Sequence, residues 1–141
     1  MGGDPAHIDH GSIKTNARTP REQRLLELFE GLREVIRCHR PRVVAIEEPF
    51  VALNVRTAFA IGEARAAALL AAAAEGLPVA SYSPATVKET VVGYGRGDKQ
   101  QVQEMVRLQL HLKESPRPLD AADALAIALC HALSARFEDR V

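Results

Sequence analysis

One short apolar run constrains the fold of this chain more than any other stretch. Residues 42–46 read RVVAI, a continuous apolar run between polar ends, which is the pattern of a strand buried on both faces. An amphipathic helical pattern precedes it over 20–39, an alanine-rich one follows over 54–75, and a second short strand is predicted over 77–83. Strands that alternate with helices in this way predict a parallel α/β sheet with helices on both faces.

Start signals mark the other predicted elements. Thr19-Pro20-Arg21-Glu22 reads as a capping box with proline at the first helical position. Ser83-Pro84 starts a third helix that runs to about residue 92, and Asp98 with Gln101 caps a fourth over roughly 99–111. A helix headed by Asp120 closes the chain, and residues 7–15, HIDHGSIKT, form a weak candidate for a short first strand.

Composition limits the class of protein. A chain of 141 residues is expected to form one domain over 1–141, with residues 1–6 and 137–141 loosely held. Lysine plus arginine equals aspartate plus glutamate at 18 each, so no global field attracts DNA or a membrane, and any nucleic-acid surface must be local. Two cysteines without CxxC spacing favour a reducing cytoplasm. No stretch is expected to be apolar for long enough to span a bilayer.

Two aspartates stand three residues apart at the head of the last helix, in LDAADALAIALCHAL (119–133). Asp120 and Asp123 share a helical face, where like charges repel unless a cation offsets the repulsion. The same residues are also consistent with an N-cap followed by a first-turn acid that the helix dipole favours. Glu47 ends the buried strand, at the edge of the sheet where function collects in α/β proteins. If the three carboxylates converge, they require a divalent cation such as Mg²⁺, which takes oxygen ligands.

Three longer segments carry a family resemblance. They are VVAIEEPFVALNVRTAFAIGEARAAAL, SYSPATVKETVVGYGRGDKQQVQEMV and DAADALAIALCHA, and together they resemble the RuvC family of bacterial Holliday junction resolvases over about residues 7–136. The resemblance implies an α/β, RNase H-like fold, with a mixed central sheet flanked by helices. It also implies a Mg²⁺-dependent endonuclease, with Mn²⁺ as a possible substitute, that cuts four-way DNA junctions symmetrically in recombination and repair.

The resemblance assigns roles to six residues. Glu47 matches the catalytic glutamate of the family, and Asp120 and Asp123 match its closing pair of acidic metal ligands. Phe50 resembles the aromatic that stacks on an unpaired base of the junction. Lys88 and Lys99 match basic residues implicated in junction binding or catalysis, and lysines eleven apart around a glycine-rich loop suit a phosphate backbone.

The front of the chain departs from the family pattern. The family opens with a strand bearing GIDPG, whose aspartate is a fourth metal ligand, and continues into a second strand of the same hairpin. Here MGGDPAHIDHGSIKT places only three residues before Asp4, two of them glycine, so Asp4 is expected to lie in a loop and not to replace that ligand. We therefore expect the first two strands to be absent from this sequence.

Partners follow from the same resemblance. Two symmetric cuts require a two-fold homodimer, for which the alanine-rich helix is a candidate interface because small side chains allow close approach. RuvA and RuvB are the implied protein partners. Two alternatives remain open at this point: a catalytically inactive junction-binding module, and another RNase H-like nuclease that acts on RNA or on a different DNA structure.

Overall fold

A computed structural model describes residues 4–48, 54–93 and 97–138. Residues 136–138 are described by their backbone only. The described elements follow in the order α1 (Arg21–His39), β1 (Val44–Glu47), α2 (Val55–Ala74), β2 (Val79–Tyr82), α3 (Pro84–Val92), α4 (Lys99–Gln109) and α5 (Leu119–Glu138). The order strand–helix–strand, with a parallel pairing of β1 and β2, agrees with the predicted α/β class. The chain divides into two compact units, one of residues 13–81 and one of residues 1–12 with 82–141.

The first unit is built on the packing of α1 against α2. The apolar residues of α1 recur at helical spacing, and five of them are half-buried: Leu25, Leu28, Phe29, Leu32 and Ile36. Val35, on the same stripe, is 50% exposed. On α2, three small side chains are buried, Ala67, Ala71 and Ala72. Alanines at that face let the helices approach closely, so the apolar side chains of α1 can cover α2.

A carboxylate bracket joins the C-terminal ends of α1 and α2. Glu75 accepts a hydrogen bond from Arg33 Nε at 2.9 Å, and Arg37 Nε lies 2.8 Å from the same oxygen. The Arg33 hydrogen bond is the main cause that holds the pKa of Glu75 below its ordinary value, and Arg37 adds to it. The bracket stabilises the ionised carboxylate in the folded unit.

The second unit packs α3, α4 and α5 around one apolar core. Nine buried side chains form it: Val87, Val91, Val102, Val106, Leu110, Leu125, Ala126, Leu129 and Cys130. These residues recur every three or four positions along each helix, which is why one face of each helix is covered. The core holds α5 against α3 and α4.

Local capping sets most of the helix starts. Asn54 accepts a hydrogen bond from Thr57 N, Ser83 accepts one from Thr86 N, and Asp98 with Gln101 forms the reciprocal capping box that the sequence predicts. The predicted capping box at Thr19 is wrong. Pro20 is the N-cap residue, without a side-chain cap, and its carbonyl accepts the first helical bonds, so α1 begins one residue later.

Two further expectations need correction. No strand forms over residues 7–15, since the sheet in the described part of the chain contains only β1 and β2 and this segment therefore finds no ladder partner. Helix α2 is, by length and composition, apolar enough to cross a membrane, contrary to the sequence-based expectation. The core helices of soluble proteins meet the same criterion, so this property alone does not assign a membrane.

Candidate active site

The head of α5 presents the two aspartates to solvent. The Pro118 carbonyl accepts hydrogen bonds from Ala121 N at 3.0 Å and Ala122 N at 3.2 Å, so the helix begins at Leu119. Asp120 therefore lies in the first turn and is not the N-cap, and it is exposed. Asp123 follows one turn later and is partly exposed.

Buried alanines set the orientation of this turn. Ala121 and Ala122 are 1% and 2% exposed, respectively. These two alanines face the core. Because successive residues of a helix point in different directions around its axis, Asp120 and Asp123 lie on the opposite, accessible side. Small residues at 121 and 122 thus allow the head of α5 to pack closely without burying either carboxylate.

A lysine from α4 contacts the second aspartate. Lys99 Nζ lies 3.4 Å from Asp123 Oδ2, and the two side chains are 59% and 40% exposed. Lys99 is the first residue of α4, directly after the Asp98 capping box, which holds the start of that helix. The arrangement places the Lys99 ammonium group against one of the two aspartates of the α5 head, on an accessible surface.

Glu47 lies in the other compact unit. It is the last residue of β1, at the carboxyl end of the strand as predicted, and it is exposed. Among the described residues there is no group of three or more His, Cys, Asp or Glu side chains close enough to hold a metal ion. The convergence of Glu47 with Asp120 and Asp123 therefore stays a prediction.

The other predicted site residues differ in what can be said of them. Lys88 lies on α3 and is half-buried, in the same unit as Lys99. Phe50 and residues 94–96 of the glycine-rich loop lie outside the described residues. The roles of Phe50, Lys88 and Lys99 in DNA binding remain predictions.

Two contacts of this unit were not foreseen from the sequence. Lys99 and Asp123 are both predicted site residues, but nothing in the sequence indicates that they pair, because they are 24 positions apart. The Tyr82 hydroxyl lies 2.6 Å from His131 Nδ1, with the rings in an edge-on contact at 5.8 Å. That hydrogen bond joins the end of β2 to the middle of α5. Neither residue carries a local pattern that predicts it.

The donor set at the head of α5 suits a hard divalent cation. Its side chains offer carboxylate oxygens only, and both carboxylates are accessible to an ion with its waters. The residues present therefore fit part of a magnesium-type site.

Comparison with known proteins identifies the family. The sequence profile described as Crossover junction endodeoxyribonuclease RuvC matches residues 1–131. The RuvC of Chloroflexus aurantiacus is 55% identical over 128 residues, which are 91% of this chain and 78% of that protein. The RuvC of Rubrobacter xylanophilus is 52% identical over 130 residues, covering 92% of this chain and 73% of the relative.

Solved structures agree with the sequence comparison. The chain is similar to the Thermus thermophilus RuvC structure at a TM-score of 0.83 and to the same protein in complex with a Holliday junction substrate at 0.86. Each match has 42% identity and covers 89% of this chain and 76% of the neighbour. The predicted RNase H-like fold is thereby confirmed. The chain belongs to the RuvC family of crossover junction endodeoxyribonucleases, the hydrolases that resolve Holliday junctions.

Proposed function

We propose that this RuvC-family endonuclease cuts Holliday junctions at a Mg²⁺ site to which Asp120, Asp123 and Glu47 contribute ligands. The observation that carries the proposal is the pair of accessible carboxylates one turn apart on α5, with a lysine against the second of them. Dependence on a divalent metal belongs to the family. We propose that the metal is Mg²⁺ and that Mn²⁺ can replace it.

The aspartates of α5 and the lysines of α3 and α4 have different proposed roles. When bound, the metal would supply an activated water and stabilise the leaving oxygen in phosphodiester hydrolysis. Asp120 and Asp123 hold oxygen ligands at fixed separation, because the buried alanines between them anchor the turn. Lys99, and Lys88 on α3, supply positive charge for the phosphates of the scissile strand, which binds and orients the substrate.

Binding to a four-way junction is supported by the Thermus thermophilus neighbour, whose structure was solved with a Holliday junction substrate. Phe50, two residues beyond the described end of the β1 segment, is proposed to stack on a junction base. Base stacking on an aromatic side chain contributes about 1–3 kcal/mol and tolerates any base.

A homodimer is the proposed working form. Two identical sites related by a two-fold axis match a substrate with two equivalent strands. Helix α2 supports this assignment, because Val55, Phe59 and Leu70 are 71%, 67% and 62% exposed on it. Large apolar side chains at that level of exposure favour burial against another chain. RuvA and RuvB remain the proposed protein partners. The exposed Cys38 and buried Cys130 are both free thiols, which is consistent with the proposed cytoplasmic location.

The test compares nicking of a synthetic four-way junction by wild-type protein with nicking by Asp120→Asn, Asp123→Asn and Glu47→Gln. Each variant should lose Mg²⁺-dependent cleavage while it keeps most of its junction affinity, since binding rests mainly on phosphate contacts. Glu48→Gln is the matched control for the strand end and should cleave like wild type. Full cleavage by any of the three variants would remove that residue from the proposed site.

Substrate and metal arms separate the alternatives. Mg²⁺, Mn²⁺ and EDTA are compared on the four-way junction, on linear duplex DNA and on an RNA–DNA hybrid. We expect cleavage of the junction with either metal and none in EDTA. Preference for the linear hybrid would favour another RNase H-like activity, and junction binding without nicking under any metal would favour an inactive binding module.

A further inference from the structure

The ion pair between Lys99 and Asp123 has a consequence for metal binding. The Asp123 carboxylate pairs with the Lys99 ammonium group in the structure, and it is also a ligand of the divalent cation in the proposed site. Both cations need the lone pairs of one small anion, and two cations at that distance repel each other. Occupation by one therefore opposes occupation by the other.

The position of the ammonium group is set by the fold. Asp98 Oδ1 accepts a hydrogen bond from Gln101 N at 2.8 Å, and Gln101 Oε1 accepts one from Asp98 N at 2.9 Å, which holds the first turn of α4. Lys99 extends from that turn. Helices α4 and α5 pack on the same core, and this packing brings the first turn of α4 next to Asp123.

The contact between Lys99 and Asp123 is an exposed ion pair that a competing cation can displace. At 3.4 Å it is longer than a charge-assisted hydrogen bond of about 2.7–2.9 Å. Both side chains are accessible to water, and such pairs are readily broken. The ammonium group on Asp123 also offsets part of the repulsion between Asp120 and Asp123 on one helical face.

We propose that Lys99 is a built-in counter-ion that occupies the metal-binding face of Asp123 when no metal is present and must leave that carboxylate when a divalent cation binds. Lys99 thereby weakens the intrinsic metal affinity of the site and keeps the empty site electrostatically stable. This inference rests on the proposed metal site and adds to it a role for Lys99 that requires no DNA.

The experiment measures Mn²⁺ binding to the DNA-free protein by electron paramagnetic resonance and by calorimetry. Lys99→Ala and Lys99→Gln should each bind Mn²⁺ about two- to five-fold more tightly than wild type, the range that an accessible ion pair contributes. Lys113→Ala is the matched control, because it removes one positive charge from an exposed residue in the loop after α4 and should change the affinity by less than about 1.5-fold.

A second measurement does not depend on fitting an isotherm. The rise in melting temperature between EDTA and saturating Mn²⁺ should be larger for Lys99→Ala than for wild type, since the variant starts from an empty site with uncompensated carboxylates. Equal or weaker Mn²⁺ binding in both Lys99 variants would overturn the inference, as would an equal gain in Lys113→Ala. If wild-type protein binds no Mn²⁺ at all, the proposed metal site fails and the inference with it. If wild type binds but Lys99→Ala gains nothing, only the inference fails.

Discussion

Replacement of Leu129 tests whether the core of the second unit is what holds the aspartate helix in place. Leu129 is 1% exposed and lies in the core that α3, α4 and α5 share. Leu129→Ala removes three buried carbons, worth about 2.4 kcal/mol at about 0.8 kcal/mol each. The cavity left behind adds to that, so we expect a total loss of about 2.7–5 kcal/mol in the free energy of unfolding.

The assay is thermal and urea unfolding, followed by junction cleavage at the same temperatures. A loss of about 3 kcal/mol should lower the melting temperature by roughly 6–12 °C for a chain of this size. Cleavage should fall in step with the folded fraction, because α5 carries two of the proposed metal ligands. Leu119→Ala is the control, since Leu119 is on the same helix but 50% exposed. A destabilisation of Leu129→Ala no larger than that of Leu119→Ala would refute the packing argument.

Three other outcomes are expected. The pKa of Glu75 is lowered in the folded protein, chiefly by the Arg33 hydrogen bond, so its stabilising contribution is present above the ordinary carboxyl pKa and is lost as pH falls through the lowered value. In urea titrations from pH 7 to pH 3, Glu75→Gln should therefore show a smaller decline in unfolding free energy than wild type, and an identical decline would contradict this assignment. Phe50→Ala should reduce junction processing, with a loss of about 1–3 kcal/mol in binding, and leave the melting temperature unchanged; a large fall in melting temperature would mean that Phe50 belongs to the core. Leu70→Arg should shift the protein from dimer to monomer in light scattering, and an unchanged dimer would place the interface away from α2. Ala72 is unsuitable for that test because it is fully buried within its own unit.

Helix positions were predictable from the sequence because their determinants are local. Predicted bounds of 20–39, 54–75 and 84–92 compare with Arg21–His39, Val55–Ala74 and Pro84–Val92 in the structure. Apolar period, capping side chains and proline at a first helical position all act within a few residues of one another. The start of α1 is an exception, because the sequence around Thr19 is compatible with a first helical residue at 20 or at 21. In the structure the Pro20 carbonyl accepts the first helical hydrogen bonds, so the helix begins at Arg21.

Strands were less predictable, because a strand is completed by a partner that may be far away in the chain. The predicted strand over 42–46 overlaps β1 (Val44–Glu47), which is completed by its pairing with β2, and the Pro78 carbonyl just before β2 accepts a hydrogen bond from Val44 N. HIDHGSIKT, the weaker strand candidate, forms no strand within the described residues. Backbone groups of a strand need a ladder, and no pattern inside the strand supplies one.

The candidate site divides along the same line. The sequence alone determined that Asp120 and Asp123 share a face, because 3.6 residues per turn bring positions three apart together in any helix. It also determined that Glu47 ends a strand, since apolar residues give way to acids and a proline at that point. Only the tertiary structure decided that Lys99 meets Asp123 and that Tyr82 meets His131, over separations of 24 and 49 positions. Such contacts are set by how helices pack on a shared core, and core packing depends on side chains from several elements at once, which no local stretch of sequence contains.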